Sequence, residues 1–423
     1  MVVRAVRGMK DILPEEAASW RWLEAAFRRV VERYGFGEVR TPLLEATELF
    51  VKEIGEGTDV VDKEMYSFER HDDRLTVRPE GTAGAARAYV QHAVSGREPV
   101  SRWYYIGPMF RAERPAKGRF RQFHQAGCEI YGDNGPVCDA EIIAMCSHFL
   151  REISILDVEI QVNSLGSGDL RARFRDALVT YFTPFAAELS EDSKRRLSTN
   201  PLRILDSKAP RDQELAAEAP RVTDLLSEED RAHFDRLQGY LTELGVPFTV
   251  NPRLVRGLDY YTRTLFEVNA VDSDLGAQAT LIGGGRYDKM VQRLGHKKPV
   301  PAIGFATGLE RLLTLVTAAA ADPAPTCYLA PMMERAHGPA LRLAQELRAA
   351  GLVCEVDGRG LSVKAMMRRA NGLNSRFCLL LGEDELDRGT VAIKDLLKKC
   401  QESVPMAEAV ATVRRTLGGP QAA

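Results

Sequence analysis

Residues Phe110 to Glu129 read FRAERPAKGRFRQFHQAGCE, a basic loop running into a strand whose two faces differ. From Arg121, alternation puts Arg121, Phe123, Gln125, Gly127 and Glu129 on one face and Gln122, His124, Ala126, Cys128 and Ile130 on the other, because successive strand side chains point to opposite sides. The preceding run, Arg102 to Phe110 (RWYYIGPMF), is aromatic and strand-like, and Pro115 and Gly118 mark the turn between. The segment therefore reads as a long-looped antiparallel hairpin. A face with a ring, an amide and a carboxylate, and Arg111 where the loop begins, suits a ligand with a phosphate, a flat base and a hydrogen-donating end. Taken alone, the same residues also fit a solvated basic loop and an Arg and a Glu paired on one strand.

Working outward, Trp20, Leu23, Phe27, Val30, Val31 and Tyr34 recur at helical spacing, and Gly35 closes that helix before a predicted strand from Gly37 to Leu44. Pro42 inside that strand predicts an edge or a bulge. From about Leu170 to Leu244 the text turns to charged helical patterns such as ELSEDSKRRL, which reads as a helical insertion. Strand signals return at Phe248 to Val268, Thr280 to Ile282 and Ala302 to Ala306. Val316 to Pro325 (VTAAAADPAP) has linker composition. Beyond it, the short apolar runs Cys327 to Ala330, Val353 to Val356 and Phe377 to Leu381 alternate with the helical patterns Pro339 to Ala350 and Ser362 to Asn371. That alternation predicts a small α/β domain with a parallel or mixed sheet.

A chain of 423 residues with a 45% hydrophobic share is enough for two or three domains. Its 57 basic and 59 acidic residues give no global basic field, so a nucleic-acid partner must be held by local patches. Arg111, Arg114, Lys117, Arg119 and Arg121 form one, and Lys364, Arg368, Arg369 and Arg376 another. The seven cysteines are scattered and never spaced as C-x-x-C, which argues against a disulfide framework or a zinc ribbon and for reduced thiols in the cytoplasm. No apolar run is long enough to span a bilayer, so no membrane role is expected. No close metal-ligand spacing occurs among the seven histidines, and no metal is expected in the protein itself.

Three further segments carry unusual residues. LVRGLDYYTRTLFE (254–267) sets Arg256 and Gly257 before two adjacent tyrosines, although the string also reads as a turn followed by an aromatic edge strand. LIGGGRYD (281–288) ends an apolar run in three glycines, for which a hairpin turn is the commoner explanation and close approach of the backbone to a ligand or another strand the alternative. AIGFATGLERLL (302–313) turns at Gly308 into a helix with Glu310 and Arg311 in its first turn. An arginine there is electrostatically out of place for a merely structural helix start, which suggests use. The chain has neither a Walker loop nor a dinucleotide fingerprint, so a bound nucleotide would be held by arginines on an antiparallel sheet.

Together these segments resemble the histidyl-tRNA synthetases, a class II aminoacyl-tRNA synthetase family, over nearly the whole chain. The helix and strand ending at Thr41 and Pro42 resemble class II motif 1, FRAERPAKGRFRQFHQ motif 2 and GFATGLERL motif 3. LVRGLDYYTRT, LIGGGRYD and RPEGTA (78–83) are similar to more specific signatures of this family. The resemblance implies an α+β fold: a class II antiparallel-sheet catalytic domain over residues 1–320, a helical insertion at about 170–245, and a C-terminal α/β anticodon-binding domain over 326–423. It implies attachment of L-histidine to tRNA-His through a histidyl-adenylate, with ATP as substrate, Mg2+ carried on the ATP, and a homodimer.

By similarity, Arg111 and Arg256 flank the α-phosphate as catalytic residues. Glu113, Arg119, Phe123 and Arg311 complete the ATP site, Phe123 and Arg311 on opposite faces of adenine. Glu80, Thr82 and Gln125 surround the histidine α-amino group, Glu129 and Tyr261 meet its imidazole, Tyr260 and Tyr287 wall the pocket, and Arg256 holds its carboxylate. Arg114 and Lys117 are candidates for tRNA contact, while Ala116 stands where family members commonly carry a Gln associated with the extra 5′ guanosine of tRNA-His. The alternatives are an inactive paralogue serving as regulatory subunit of ATP phosphoribosyltransferase, and a tRNA sensor; an unbroken RGLDYY and the retained C-terminal domain oppose the first, and intact Arg111, Arg256 and Arg311 the second.

Overall fold

Ser101–Phe110 and Gln122–Tyr131 pair antiparallel, from Ser101 opposite Tyr131 to Phe110 opposite Gln122, and carry the loop between them as a continuous hairpin. The computed structural model describes residues 3–55, 58, 60–116, 118–256, 258–271, 279–316, 326–360 and 362–418. The chain divides into two compact units, Met1–Ala320 and Ala321–Ala423.

The first unit begins with helix α1 (Pro14–Arg33), strands β1 (Gly37–Glu38) and β2 (Leu44–Ala46), helix α2 (Thr47–Ile54), strands β3 (Tyr66–Arg70) and β4 (Asp73–Val77), and helix α3 (Thr82–Gln91). The hairpin strands β5 (Ser101–Phe110) and β6 (Gln122–Tyr131) lead to helix α4 (Pro136–Glu152) and strand β7 (Val158–Ser164). Helices α5 (Leu170–Phe182), α6 (Glu191–Thr199), α7 (Pro210–Ala217) and α8 (Glu228–Glu243) precede β8 (Thr249–Val250) and β9 (Thr262–Ala270). Strand β10 (Thr280–Arg286), helix α9 (Met290–Arg293), strand β11 (Ala302–Gly308) and helix α10 (Leu309–Leu315) complete it.

Eight strands form the main sheet in the order β1-β5-β6-β11-β10-β9-β7-β8, antiparallel except where β1 and β8 join its edges. One face is covered by α1 and α4. Leu23, Ala26, Phe27, Val30 and Val31 of α1 are wholly buried, and Phe27 meets Phe149 edge to face at 5.1 Å. Each such large apolar side chain contributes about 1.5–3 kcal/mol when removed from water, so this stripe fixes the helix against the back of the sheet. The other face carries glycines and polar residues, and the site lies there.

Three sequence readings change. The strand from Gly37 to Leu44 is only β1, after which the chain crosses to a separate three-stranded sheet ordered β2-β4-β3. Pro42 has no N–H to give a ladder, and the Thr41 carbonyl just before it is taken by the buried Arg78 guanidinium at 3.0 Å. The strand from Phe248 to Val268 is broken into β8 and β9, because the Leu254 carbonyl accepts from the Asn163 side chain at 3.0 Å instead of pairing in the sheet. The glycines 283–285 do not make a turn: they lie inside β10, paired on both sides. The linker reading, apart from Val316, lies outside the described residues.

In the second unit β12 (Cys327–Pro331), helix α11 (His337–Ala349), β13 (Cys354–Val356), helix α12 (Val363–Gly372) and β14 (Phe377–Leu381) give the parallel part of a mixed sheet. Helix α13 (Glu383–Arg388), strands β15 (Thr390–Asp395) and β16 (Cys400–Pro405) and helix α14 (Ala409–Thr416) add an antiparallel hairpin that the sequence reading did not resolve. The sheet order is β13-β12-β14-β15-β16. In its basic cluster Arg376 pairs with Asp395 at 2.8 Å and Arg369 with Glu355 at 3.4 Å.

Candidate active site

Every site residue named from the sequence, apart from Glu129, Arg114 and Lys117, lines one cavity on the open face of the main sheet. Glu80 and Thr82 come from the start of α3, Arg111, Glu113 and Arg119 from the hairpin loop, Phe123 and Gln125 from β6, and Arg256, Tyr260 and Tyr261 from the loop before β9. Tyr287 follows β10 and Arg311 sits in the first turn of α10. Glycines make room for the long side chains. A Cβ at Gly283 would overlap the Arg256 guanidinium, and one at Gly304 the Glu129 carboxylate. Lys117 lies outside the described residues, and Arg114 is exposed on the loop. Arg121 does not continue the cavity face. Its amide donates to the Gly8 carbonyl at 2.7 Å and its Nε to the Glu113 carbonyl at 3.3 Å.

One part of the cavity is built from carboxylates and hydroxyls. Glu80 accepts from the amides of Thr82 at 2.7 Å and Ala83 at 2.8 Å, so it caps α3 while buried. Burial raises its pKa and those amides work against the rise. Glu129 is wholly buried one layer beneath the lining. It accepts from Thr82 Oγ1 at 2.7 Å, Tyr105 Oη at 3.2 Å and Tyr287 Oη, and so reaches the cavity through Thr82 and Tyr287. Tyr260 packs on Tyr261 at 4.6 Å and edge to face on Tyr287 at 5.6 Å. Gln125 Oε1 is buried with no hydrogen-bond partner among the described residues, an acceptor waiting for a donor.

Burial pushes the Glu129 pKa from 4.5 up to about 8, more than the hydrogen bonds from Tyr287 and Thr82 lower it. A raised carboxyl keeps its proton in the folded state where the unfolded chain releases it, so its contribution to stability is full below 4.5 and is lost as pH rises through about 8. In Glu129→Gln this decline is expected to vanish: the melting temperature of the variant should gain on the parent between pH 4.5 and pH 8. Parallel melting curves across that range would contradict the buried proton.

The rest of the cavity is cationic. Arg111 donates from Nε to the Pro79 carbonyl at 2.9 Å and stands over the Phe123 ring at 5.3 Å from its centroid. Arg311 donates to the carbonyls of Thr280 at 2.7 Å and Gly118 at 3.3 Å. Burial first, then the nearby Arg119, lowers the Arg311 pKa, as Arg111 and Arg256 do further. Arg119 pairs with Glu113 at 3.2 Å, and Arg256 with Glu267. A polyanion such as a triphosphate relieves this mutual repulsion. Among the described residues no group of three or more His, Cys, Asp or Glu side chains could hold a metal ion.

A family model described as histidyl-tRNA synthetase matches residues 8–312, which include all of this cavity. The chain belongs to the histidyl-tRNA synthetase family. A second model, described as an anticodon binding domain, matches residues 326–416. The histidine–tRNA ligase of Sorangium cellulosum (strain So ce56) is 60% identical over 96% of this chain and 95% of its own. The crystal structure of apo S. aureus histidyl-tRNA synthetase superposes with a TM-score of 0.81 at 33% identity, covering 98% of this chain and 100% of that one. A Bacillus halodurans C structure titled as an ATP phosphoribosyltransferase regulatory subunit/histidyl-tRNA synthetase gives a TM-score of 0.65 at 22% identity over 87% of this chain and 97% of its own, a likeness of fold alone.

This histidyl-tRNA synthetase chain also uses residues to which the sequence reading gave no role. Both Glu310 oxygens accept from the His124 amide at 2.9 Å, and Oε1 also meets His124 Nδ1 at 3.0 Å, which ties α10 to β6. Arg286 is fully buried and pairs with Asp139 at 2.7 Å. Asp139 also accepts from Thr264 Oγ1 at 2.5 Å and meets His233 Nε2 at 2.9 Å. Burial works against the Asp139 charge, but Arg286 and His233 outweigh it and hold its pKa below the ordinary value. A charged residue closing a strand of leucine, isoleucine and glycine was the one available signal for Arg286. For Glu310 the signal was position beside Arg311, without any sign of its partner.

Proposed function

We infer that this enzyme joins L-histidine to tRNA-His in two steps, using ATP. In the first, a carboxylate oxygen of histidine attacks the α-phosphorus in line, the bond to the bridging oxygen breaks, and pyrophosphate leaves. In the second, a ribose hydroxyl of the terminal tRNA adenosine attacks the carbonyl of histidyl-adenylate, and AMP leaves. Neither displacement needs a protein nucleophile; both need the reactants held and developing charge stabilised.

One observation carries the reading: a single cavity joins the arginine cluster to the unpartnered acceptor of Gln125. Arg111 and Arg256 take the α-phosphate from two sides, and Phe123 with Arg311 encloses adenine, Arg119 and Glu113 lying along the phosphates. Glu80, Thr82 and Gln125 receive the α-ammonium. Tyr261 and the Glu129 system meet the imidazole, with Tyr260 and Tyr287 as walls. Magnesium, when bound, neutralises charge on the ATP phosphates. A site whose buried polar groups must all be paired rejects amino acids that leave them unpaired. Glu129→Gln is therefore also expected to weaken selectivity for histidine, and unchanged discrimination would remove Glu129 from that role.

The C-terminal unit is assigned to the anticodon of the same tRNA. A homodimer is consistent with the apolar exposure of Leu44 (45%) and Phe68 (45%) on the small sheet beside the motif 1 segment. At the acceptor end, Ala116 is exposed and offers no side-chain amide, so Arg114 or loop backbone is left to read the extra guanosine. Removing that guanosine is expected to lower charging by less than about tenfold, with Ala116→Gln deepening the loss, since one neutral hydrogen bond is worth about 1 kcal/mol. A loss of several orders of magnitude in the unaltered protein contradicts this. The activity itself is tested by ATP–pyrophosphate exchange, expected to depend on histidine alone among amino acids; no exchange from folded protein favours the regulatory reading.

A further inference from the structure

Arg256 stands at a boundary. It lines the reaction cavity and also a neighbouring groove of about 880 Å³, bounded by residues of β7, β8 and the helical insertion. The groove holds other carboxylates, Glu159 and Asp206. A long arginine side chain therefore has open volume beside it and further carboxylates in the same groove. Something must hold it on the cavity side.

Glu267 is placed to do so. It faces Gly283 directly across the β9–β10 ladder, and the Arg256 guanidinium occupies the space that a Gly283 side chain would fill. Arg256 Nη1 donates to Glu267 Oε1, while Arg256 Nε is buried with no partner among the described residues. The second Glu267 oxygen accepts from Thr280 Oγ1 at 3.4 Å, and the Thr280 carbonyl accepts from Arg311 Nη1 at 2.7 Å. Glu267 lines the groove and not the reaction cavity.

We propose that Glu267 is the positioning residue of the adenylation step, fixing Arg256 through its carboxylate and, through Thr280, linking Arg256 to Arg311. The proposal rests on the role given to Arg256 above. Its physical content is that a guanidinium released into the groove is misplaced by ångströms from the α-phosphate, although substrates still enter.

The test is ATP–pyrophosphate exchange with active-site titration on the full chain, using Glu267→Ala, Glu267→Gln, Arg256→Ala and Glu267→Ala/Arg256→Ala. Glu267→Ala is expected to lower turnover per active site about a hundredfold, the scale of an ångström misplacement, with KM for histidine and for ATP each within about fivefold. Glu267→Gln keeps an acceptor oxygen and the shape, and is expected to lose about tenfold. The double variant should be no slower than Arg256→Ala alone, because residues acting as one unit are not additive. A smaller active fraction with normal turnover, a rise in KM without loss of turnover, or multiplying losses would each overturn the proposal. If Arg256→Ala alone leaves exchange intact, the role of Arg256 fails and the proposal with it, whereas multiplying losses overturn only the proposal.

Discussion

Arg256→Ala is expected to slow adenylate formation by about a thousandfold or more, the upper range for loss of one donor to developing charge. Histidine affinity should change by less than about tenfold, since Glu80, Thr82, Gln125 and the tyrosines remain. The contrast follows from position. Arg256 shares the cavity with Arg111, Arg119 and Arg311, and Arg119, Arg111 and Arg256 each act against the charge of Arg311. Histidine brings one negative charge, but the α-phosphate carries the charge that redistributes in the transition state. Exchange kinetics and equilibrium dialysis of labelled histidine separate the two. Equal losses in both would make Arg256 a binding residue with no special part in the chemistry.

The second large effect concerns stability. Arg286→Met is expected to cost about 3–5 kcal/mol, the usual consequence of removing one partner from a buried ion pair. Asp139 would keep His233 and Thr264 but lose its guanidinium. Arg286 also donates to the carbonyls of Asp133 at 3.0 Å and Gly135 at 2.9 Å, so those too lose a donor in a buried setting. Tyr287 follows it in the chain and its hydroxyl holds Glu129, so histidine affinity should fall as well. Urea unfolding of variant and parent gives the comparison. A cost under about 1 kcal/mol would mean that Asp139 is satisfied by His233 and Thr264 without the arginine.

How much of this was readable in advance depended on what kind of interaction was involved. The β5–β6 hairpin was legible because alternation is a local property: Phe123, Gln125 and Glu129 share a face by spacing alone. The helical insertion was legible for the same reason, its periodicity being carried within each helix. The fate of Gly37 to Leu44 was not, since it turns on Arg78 reaching the Thr41 carbonyl from a distant part of the chain. The glycines of β10 were read first as a turn because glycine is permissive, whereas here they supply emptiness for Arg256 and for close strand packing. Alternation also set Glu129 among cavity residues, yet it lies one layer below them, screened by Thr82 and Tyr287. Depth beneath a surface is not encoded in a period of two. Glu267 and Glu310 had no readable partner, because their partners meet them only in the folded sheet.

The most direct test of the whole account is charging of unmodified tRNA-His transcript by the purified protein, with ATP and magnesium, against each of the standard amino acids in turn. The account predicts acylation with histidine alone, slowed by about a thousandfold or more in Arg256→Ala. Charging with another amino acid, or none from folded protein and competent tRNA, would contradict it.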